Sequence, residues 1–238
     1  MTASASAGAR AELLALATAE PTPCTTRFEE LRRIPMPDDA RAAAVLILFG
    51  VLDDLPAGRD AHDAAVSRDL DVLLLARATT LRAHPGQVAF PGGRIDPGDT
   101  GPVAAALREA REETGLDPEG VEVLGTLDPL PLVFSRHLVT PVLGWWRAPS
   151  AVGVVDEAES AAVFRAPVAD LLDPANRGIT VLRRDDEEFR GPAFQVPHSG
   201  GTHIVWGFTA MVLDGLFDLL GWTEPWDRER RIPLVLPR

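Results

Sequence analysis

Short apolar runs separated by polar segments recur along most of the chain. Runs rich in Val, Leu and Ile that are bounded by Gly, Pro and Asp are typical of β-strands. They predict strands over Ala43–Leu52, Asp71–Ala76, Val121–Leu127, Val139–Trp146 and Ala161–Val168, and a hairpin formed by Ile179–Arg183 and Glu188–Val196.

Helical spacing of apolar residues appears in fewer places. Val103–Thr114 carries Ala, Leu, Arg and Glu at helical spacing and stops at Gly115, a common helix terminator. Further helices are predicted near Ala11–Ala19, around Val168–Leu172 and over His203–Leu220. Because strands outnumber helices and do not alternate with them one for one, we expect an α/β (α+β) fold with helices packed on a sheet.

The same pattern divides the chain into three parts. Residues 1–40 form an N-terminal extension with several prolines, residues 41–221 form one domain, and residues 222–238 form a Pro-rich C-terminal tail. A chain of 238 residues that is 46% hydrophobic is long enough to bury a substantial core.

Charge and cysteine content narrow the function. The formal net charge of -12 argues against a general basic surface that grips a nucleic-acid polymer, although local positive pockets remain compatible with it. The single Cys24 excludes an intramolecular disulfide framework. The N-terminus lacks the pattern of a signal peptide, and the longest strongly apolar stretch, Ala42–Leu52, is shorter than the about 20 residues that cross a bilayer. We therefore expect a cytoplasmic protein without a membrane partner.

Three carboxylates stand out on the predicted helix that ends at Gly115. Glu109, Glu112 and Glu113 have i, i+3, i+4 spacing, so one helix face presents all three. Either this face is solvated and Arg108 and Arg111 balance its negative charge, or it binds a divalent cation. Magnesium and manganese fit the second interpretation because they prefer hard oxygen ligands.

A glycine turn directly precedes this helix in the sequence. Phe90-Pro91-Gly92-Gly93 allows the backbone to turn sharply and to approach a ligand closely. The turn places backbone groups opposite the acidic face, which favours the metal-binding interpretation over the solvated one.

Gly93 and the segment 108–116 (REAREETGL) resemble the Nudix box, G-x5-E-x7-R-E-U-x-E-E-x-G-U, where U is a bulky aliphatic residue. The chain departs from the box in three ways. One extra residue lies between Gly93 and Arg108, Asp99 or Thr100 stands near the first Glu of the box, and Ala110 occupies the first aliphatic position.

The extra residue is similar to the spacing of one Nudix branch, the coenzyme A pyrophosphatases. That branch carries an upstream motif, L-L-T-x-R-[SA]-x3-R-x3-G-x3-F-P-G-G. Residues 73–78 (LLLARA), Arg82, Gly86 and the turn at 90–93 follow it with every spacing kept, and Leu75 replaces the Thr of the motif. The two motifs together cover residues 73–116.

The resemblance implies a Nudix-type α/β/α sandwich, in which a mixed β-sheet lies between helices. It implies that Glu109, Glu112 and Glu113 bind Mg²⁺ or Mn²⁺, with a backbone carbonyl of Gly92 or Gly93 as a further ligand. The metal would polarise a diphosphate and lower the pKa of a bound water.

The resemblance also implies catalytic roles. Arg108 would orient the carboxylates through charge-assisted pairs. The group that accepts the proton of the attacking water stays open among Glu112, Glu109 and Glu157.

A small-molecule diphosphate is the implied partner. Arg77 and Arg82 would contact phosphates, including the 3′-phosphate of coenzyme A, and Gly86, Gln87 and Phe90 would line the pocket. Gln87 could instead satisfy backbone groups of its loop. A homodimer is compatible with the sequence but is not specified by it.

Three functions remain in competition. The first is hydrolysis of coenzyme A or acyl-CoA to 3′,5′-ADP and (acyl-)4′-phosphopantetheine, which the upstream motif favours. The second is a broader nucleoside-diphosphate-X or nucleotide pyrophosphatase. The third is a catalytically silent Nudix-like ligand-binding module, which the presence of all three carboxylates disfavours.

Overall fold

The computed structural model describes residues 2–19, 35–36, 39–51, 56–81, 85–132, 135–184, 187–198 and 200–234. The helices are α1 (Thr2–Thr18), α2 (Pro102–Thr114), α3 (Val168–Leu172) and α4 (Gly207–Leu220), and a 3₁₀ turn spans Pro118–Gly120. The strands are β1 (Arg41–Val51), β2 (Leu70–Arg77), β3 (Val88–Ala89), β4 (Gly92–Arg94), β5 (Val121–Thr126), β6 (Leu130–Leu132), β7 (His137–Trp146), β8 (Ser160–Pro167), β9 (Arg177–Arg184), β10 (Glu187–His198) and β11 (Gly201–Val205).

Strands β1 to β8 form one mixed sheet. Its main order is β3-β2-β1-β7-β5, with β8 beside β2, β4 beside β1 and β6 beside β7. The pair β1–β7 is parallel from Arg41 opposite His137 to Phe49 opposite Trp145, and the other pairs are antiparallel. The predicted mixed sheet is therefore confirmed.

Strand β1 explains why the sheet lies between two helical layers. Ala44, Leu46 and Leu48 belong to an apolar cluster with the buried side of α2, whereas Ile47 and Phe49 belong to a larger cluster with α4. Because alternate residues of a strand face opposite sides, both faces of β1 are buried, which accounts for its continuous apolar run. The α/β/α arrangement is the one expected.

A second sheet, β9–β10–β11, is antiparallel throughout. It contains the predicted hairpin, and it corrects one prediction, because the helix expected over His203–Leu220 begins only at Gly207. His203 pairs with Val196 and Val205 with Phe194 in the β10–β11 ladder. The preceding Gly201, with a φ of 148°, allows the tight connection between these strands.

Both ends of the described chain pack against the domain. Ala9 and Leu13 of α1 are fully buried in the larger cluster. Trp222 is 1% exposed and donates its indole N–H to Glu12, and Ile232 is also buried. The segments interpreted as an extension and a tail thus contribute apolar side chains to the folded unit. Among the helices described, none has the length and apolarity needed to cross a membrane.

Candidate active site

Helix α2 presents one apolar and one acidic face. Pro102 lies in its first turn, and Gly115 ends it in the left-handed conformation, with a φ of 72°. Ala105, Ala106 and Ala110 are fully buried, so that small side chains bring the helix close to β1. This packing fixes the direction of the carboxylates on the opposite side.

The glycine turn lies directly under those carboxylates. A Cβ atom at Gly92 would stand 2.7 Å from the Cα of Val45, and one at Gly93 would stand 2.5 Å from the Cδ of Glu109. Real Cβ atoms essentially never make such contacts. Position 92 must therefore lack a side chain for the turn to lie against β1, and a side chain at position 93 would displace the carboxylate of Glu109.

Glu113 is the most constrained carboxylate of the three. It accepts a hydrogen bond from the backbone N–H of Gly92 at 2.9 Å. The pKa of Glu113 is raised to about 7, mainly by burial and also by the neighbouring Glu109 charge, against the lowering effect of the Gly92 hydrogen bond and of Arg77. Burial also raises the pKa of Glu109. The turn and the helix thus hold two partly desolvated acids next to each other.

Arg108 contacts the other two carboxylates of the acidic face, Glu109 and Glu112. Its Nη1 donates to Glu109 and to Glu112, both at 3.1 Å. The side chain of Glu112 is 58% exposed, so it lies at the open edge of the site. The predicted orienting role of Arg108 remains a proposal, and its contacts to both carboxylates support it.

Asp99 is a site residue whose contribution the sequence analysis did not specify. It accepts two hydrogen bonds from Arg108, to Oδ1 at 3.1 Å and to Oδ2 at 3.0 Å, and its side chain is 7% exposed. Arg108 also donates to the carbonyl of Arg94 at 3.0 Å. The sequence signal that could have identified Asp99 is its position near the first Glu of the box, which this chain lacks.

Arg77 lies on the same side of the sheet as the acids. Its charge lowers the pKa of Glu113, which places the guanidinium within electrostatic reach of that carboxylate. Its Nε is buried and has no hydrogen-bond partner among the described residues. A buried donor without a partner is costly, so this atom is suited to an anionic ligand.

The loop before the turn contains the other residues predicted to bind substrate. Gly86 is exposed with a φ of 67°, and the Nε2 of Gln87 lies against Gly207 at the start of α4. Phe90 is 3% exposed and packs in the larger apolar cluster, and its contact with substrate stays a prediction. Arg82 lies outside the described residues.

Glu157 occupies an exposed turn before β8. In the same turn, Glu159 is one of the charges that raise the pKa of Glu113. The backbone carbonyl of Glu159 accepts the N–H of Ala78, which attaches the turn to the end of β2. The structure therefore relates this turn to the acidic site through Glu159, whereas the role of Glu157 stays a prediction.

Within the described ranges, no group of three or more His, Cys, Asp or Glu side chains is arranged to hold a metal ion. Arg108 contacts two of the three box carboxylates, and the Gly92 N–H contacts the third. The acids lie together at one turn, and one oxygen of each accepts a hydrogen bond from a protein donor.

A mixed sheet between helices and an acidic helix on a glycine turn define a Nudix-type hydrolase. The NUDIX domain family matches residues 59–190. An uncharacterized Nudix hydrolase NudL of Cronobacter sakazakii is 43% identical over 143 residues, which are 60% of this chain and 71% of that protein. The NudL of an Enterobacter species is 39% identical over 142 residues, with the same coverage. A solved Nudix hydrolase of M. smegmatis, RenU, is 20% identical with a TM-score of 0.48, covering 79% of this chain and 91% of that one.

The chain belongs to the Nudix family, whose members are hydrolases acting on pyrophosphate bonds. Nudix hydrolases generally use divalent metal ions. The residues present fit such an ion, because Glu109 and Glu113 are hard carboxylate donors whose burial disfavours their charge, and a cation would offset that cost.

Proposed function

We propose that this chain is a metal-dependent pyrophosphohydrolase that cleaves coenzyme A or acyl-CoA into 3′,5′-ADP and (acyl-)4′-phosphopantetheine. The observation that carries the proposal is the meeting of two box carboxylates, a glycine turn and Arg77 with its unpartnered Nε. The upstream motif at residues 73–93, which resembles that of the coenzyme A pyrophosphatases, supports the choice of substrate.

Mg²⁺ or Mn²⁺ would be held by Glu109, Glu112 and Glu113, with a carbonyl of Gly92 or Gly93 as a further ligand. When bound, the ion supplies charge neutralisation for the diphosphate and lowers the pKa of a water. Arg108 holds Glu109 and Glu112 on one side of the helix through hydrogen bonds to both carboxylates.

The remaining residues bind the substrate or accept the proton of the attacking water. Arg77, with Arg82 from the same motif, binds phosphate oxygens, and Gly86 and Gln87 line the approach to the turn. The water oxygen bonds to one phosphorus, the bridging P–O bond breaks, and the leaving phosphate oxygen takes the electron pair. The water proton passes to Glu112, Glu109 or Glu157.

Product identification tests this function directly. Purified protein is incubated with Mg²⁺ or Mn²⁺ and with coenzyme A, and the products are separated by chromatography. We expect 3′,5′-ADP and 4′-phosphopantetheine, and we expect a Glu113→Gln variant to lose at least a hundredfold in rate. The absence of both products at every metal concentration would remove the proposal.

A substrate panel separates coenzyme A from broader nucleotide specificity. Coenzyme A, dephospho-coenzyme A, a nucleotide sugar and a dinucleotide are compared at equal concentration. If the preference for coenzyme A disappears in Arg77→Gln, Arg77 contacts the 3′-phosphate. The control variant Arg147→Gln, which changes an exposed arginine, should keep the preference. Equal rates with all four compounds would favour a general nucleoside-diphosphate-X pyrophosphatase.

A catalytically silent Nudix-like module is the remaining alternative, which the presence of Glu109, Glu112 and Glu113 disfavours. A module of this kind would bind a diphosphate compound through Arg77 without turnover. It is distinguished by substrate binding in calorimetry together with the absence of products after prolonged incubation.

A further inference from the structure

Trp226, in the segment after α4, lies among arginines. The guanidinium carbon of Arg177 is 4.8 Å from the centroid of the Trp226 ring, and that of Arg228 is 4.9 Å from it. Arg190 of β10 joins Trp226 and Arg228 in lining a pocket of about 160 Å³, which Ile179 and Gly191 complete. None of these described lining residues is acidic.

Several donors at this place have no acceptor. The indole Nε1 of Trp226 is buried without a hydrogen-bond partner in the described part of the chain. Arg177 is 1% exposed and forms an ion pair with Asp214, yet its Nε and Nη1 lack partners as well. Buried donors left without acceptors are costly, so an acceptor at this place would be favourable.

The two arginines that line the pocket differ in their pairing. Arg190 donates to Glu188 at 2.9 Å, which leaves the rest of its guanidinium to other acceptors. Arg228 is exposed and has no ion pair within the described ranges. Burial lowers the pKa of Arg177, and the charge of Arg228 lowers it further. The pocket therefore has one arginine paired with Glu188 and one without an ion pair in the described part of the chain, beside an aromatic N–H.

The pocket is separate from the acidic helix. Thr209, near the start of α4, donates a hydrogen bond to the carbonyl of Val88 in β3. Because β11 ends just before α4, the end of β11 lies next to the strand that precedes the glycine turn. Val205 pairs with Phe194 on β10, and Arg190 precedes Phe194 by four residues. At about 3.3 Å per residue, Arg190 lies on the order of 13 Å further along the strand.

We propose that this pocket binds the phosphoryl group of a small anion at a second, non-catalytic site. Guanidinium groups match phosphate oxygens in paired hydrogen bonds, and the indole N–H supplies a further donor. A cavity of about 160 Å³ leaves room for a phosphate or diphosphate group. The inference is independent of the reaction proposed for the acidic helix.

Calorimetric titration of the full chain in EDTA, without divalent metal, tests the site. Inorganic phosphate, pyrophosphate and adenosine 3′,5′-bisphosphate are the probes, which distinguishes a free anion from a phosphate ester. We expect at least one to bind wild type, and Arg190→Gln/Arg228→Gln to weaken it at least tenfold. Trp226→Phe, which keeps an aromatic ring and removes the N–H, should weaken it severalfold.

Two matched variants show where the anion binds. Arg147→Gln removes an exposed charge elsewhere and should leave the affinity unchanged. Arg77→Gln alters the proposed catalytic site and should also leave it unchanged. If Arg77→Gln abolishes binding while Arg190→Gln/Arg228→Gln retains it, the second site is overturned. Failure of all three probes to bind wild type at millimolar concentration overturns it equally.

Discussion

The carboxylate of Glu109 occupies the space that a side chain at position 93 would need. A Cβ at Gly93 would lie 2.5 Å from the Cδ and 2.7 Å from the Oε2 of Glu109. Since Gly93 belongs to β4 and Glu109 to α2, this contact joins the turn and the helix that together form the candidate metal site.

Replacing Gly93 by Ala should therefore displace the carboxylate of Glu109. We expect Gly93→Ala to lower metal-dependent hydrolysis at least tenfold and to change thermal unfolding little, because the end of a flexible side chain can shift. Hydrolysis rates and thermal unfolding of the purified variant measure both effects. Gly98→Ala is the control, because a Cβ there meets nothing within 4 Å. Equal behaviour of the two variants would contradict the close contact.

Asp99 positions Arg108, so its removal should act on the metal site from a distance. Without the paired hydrogen bonds to Asp99, Arg108 is free to hold Glu109 and Glu112 more tightly and to compete with a cation. We expect Asp99→Asn to reduce metal affinity or activity about ten- to hundredfold, as loss of an outer-shell partner commonly does.

Asp96→Asn is the matched control for Asp99→Asn. Asp96 lies 3.8 Å from Arg108 and its side chain is 64% exposed, so it should contribute little. Manganese titration and initial rates are compared for both variants. A loss as large in Asp96→Asn as in Asp99→Asn would mean that general negative charge, and not the position of Arg108, is what matters.

The ion pair between Arg59 and Glu224 should make stability depend on acid pH. Glu224 accepts from Arg59 at 2.9 and 2.8 Å and from the N–H of His62 at 3.0 Å. Burial raises the pKa of Glu224, but these hydrogen bonds outweigh it, and the net pKa lies below 4.5. Because the folded pKa is depressed, the stabilisation is present above about pH 4.5 and is lost as pH falls through the folded value.

Glu224→Gln should remove that part of the pH dependence. We expect a loss of about 1–3 kcal/mol at pH 7 and a smaller difference from wild type at pH 3, measured by urea unfolding at each pH. Glu229→Gln, at an exposed position in the same segment, should behave like wild type. A constant difference between Glu224→Gln and wild type across this range would show that the ion pair is not the cause.

Local patterns predicted the box region closely. The helix expected over Val103–Thr114 is observed at Pro102–Thr114, and Val168–Leu172 is helical as expected. These segments are predictable because Gly115 and the regular spacing of apolar residues act within a few positions. The approach of Gly92 and Gly93 to the helix likewise followed from the need for backbone without side chains.

Features that depend on distant partners were not predictable from spacing. His203–Val205 has apolar residues that also fit the following helix, and only pairing with β10 makes it a strand. Phe90 lies in a motif associated with substrate, but its ring fills the core beneath the turn. Asp99 joins the site through a hydrogen bond from Arg108, which lies nine positions away in the sequence. Tertiary contacts decided each of these outcomes.

Calorimetric titration of Mn²⁺ into the substrate-free protein tests the central claim most directly, because it asks whether the acidic helix and the glycine turn hold a divalent ion. Wild type should bind with an affinity that falls at least tenfold in Glu109→Gln and in Glu113→Gln, whereas Glu119→Gln, an exposed change beyond the helix, should match wild type. Identical isotherms for wild type and Glu113→Gln, with both proteins folded, would contradict the account.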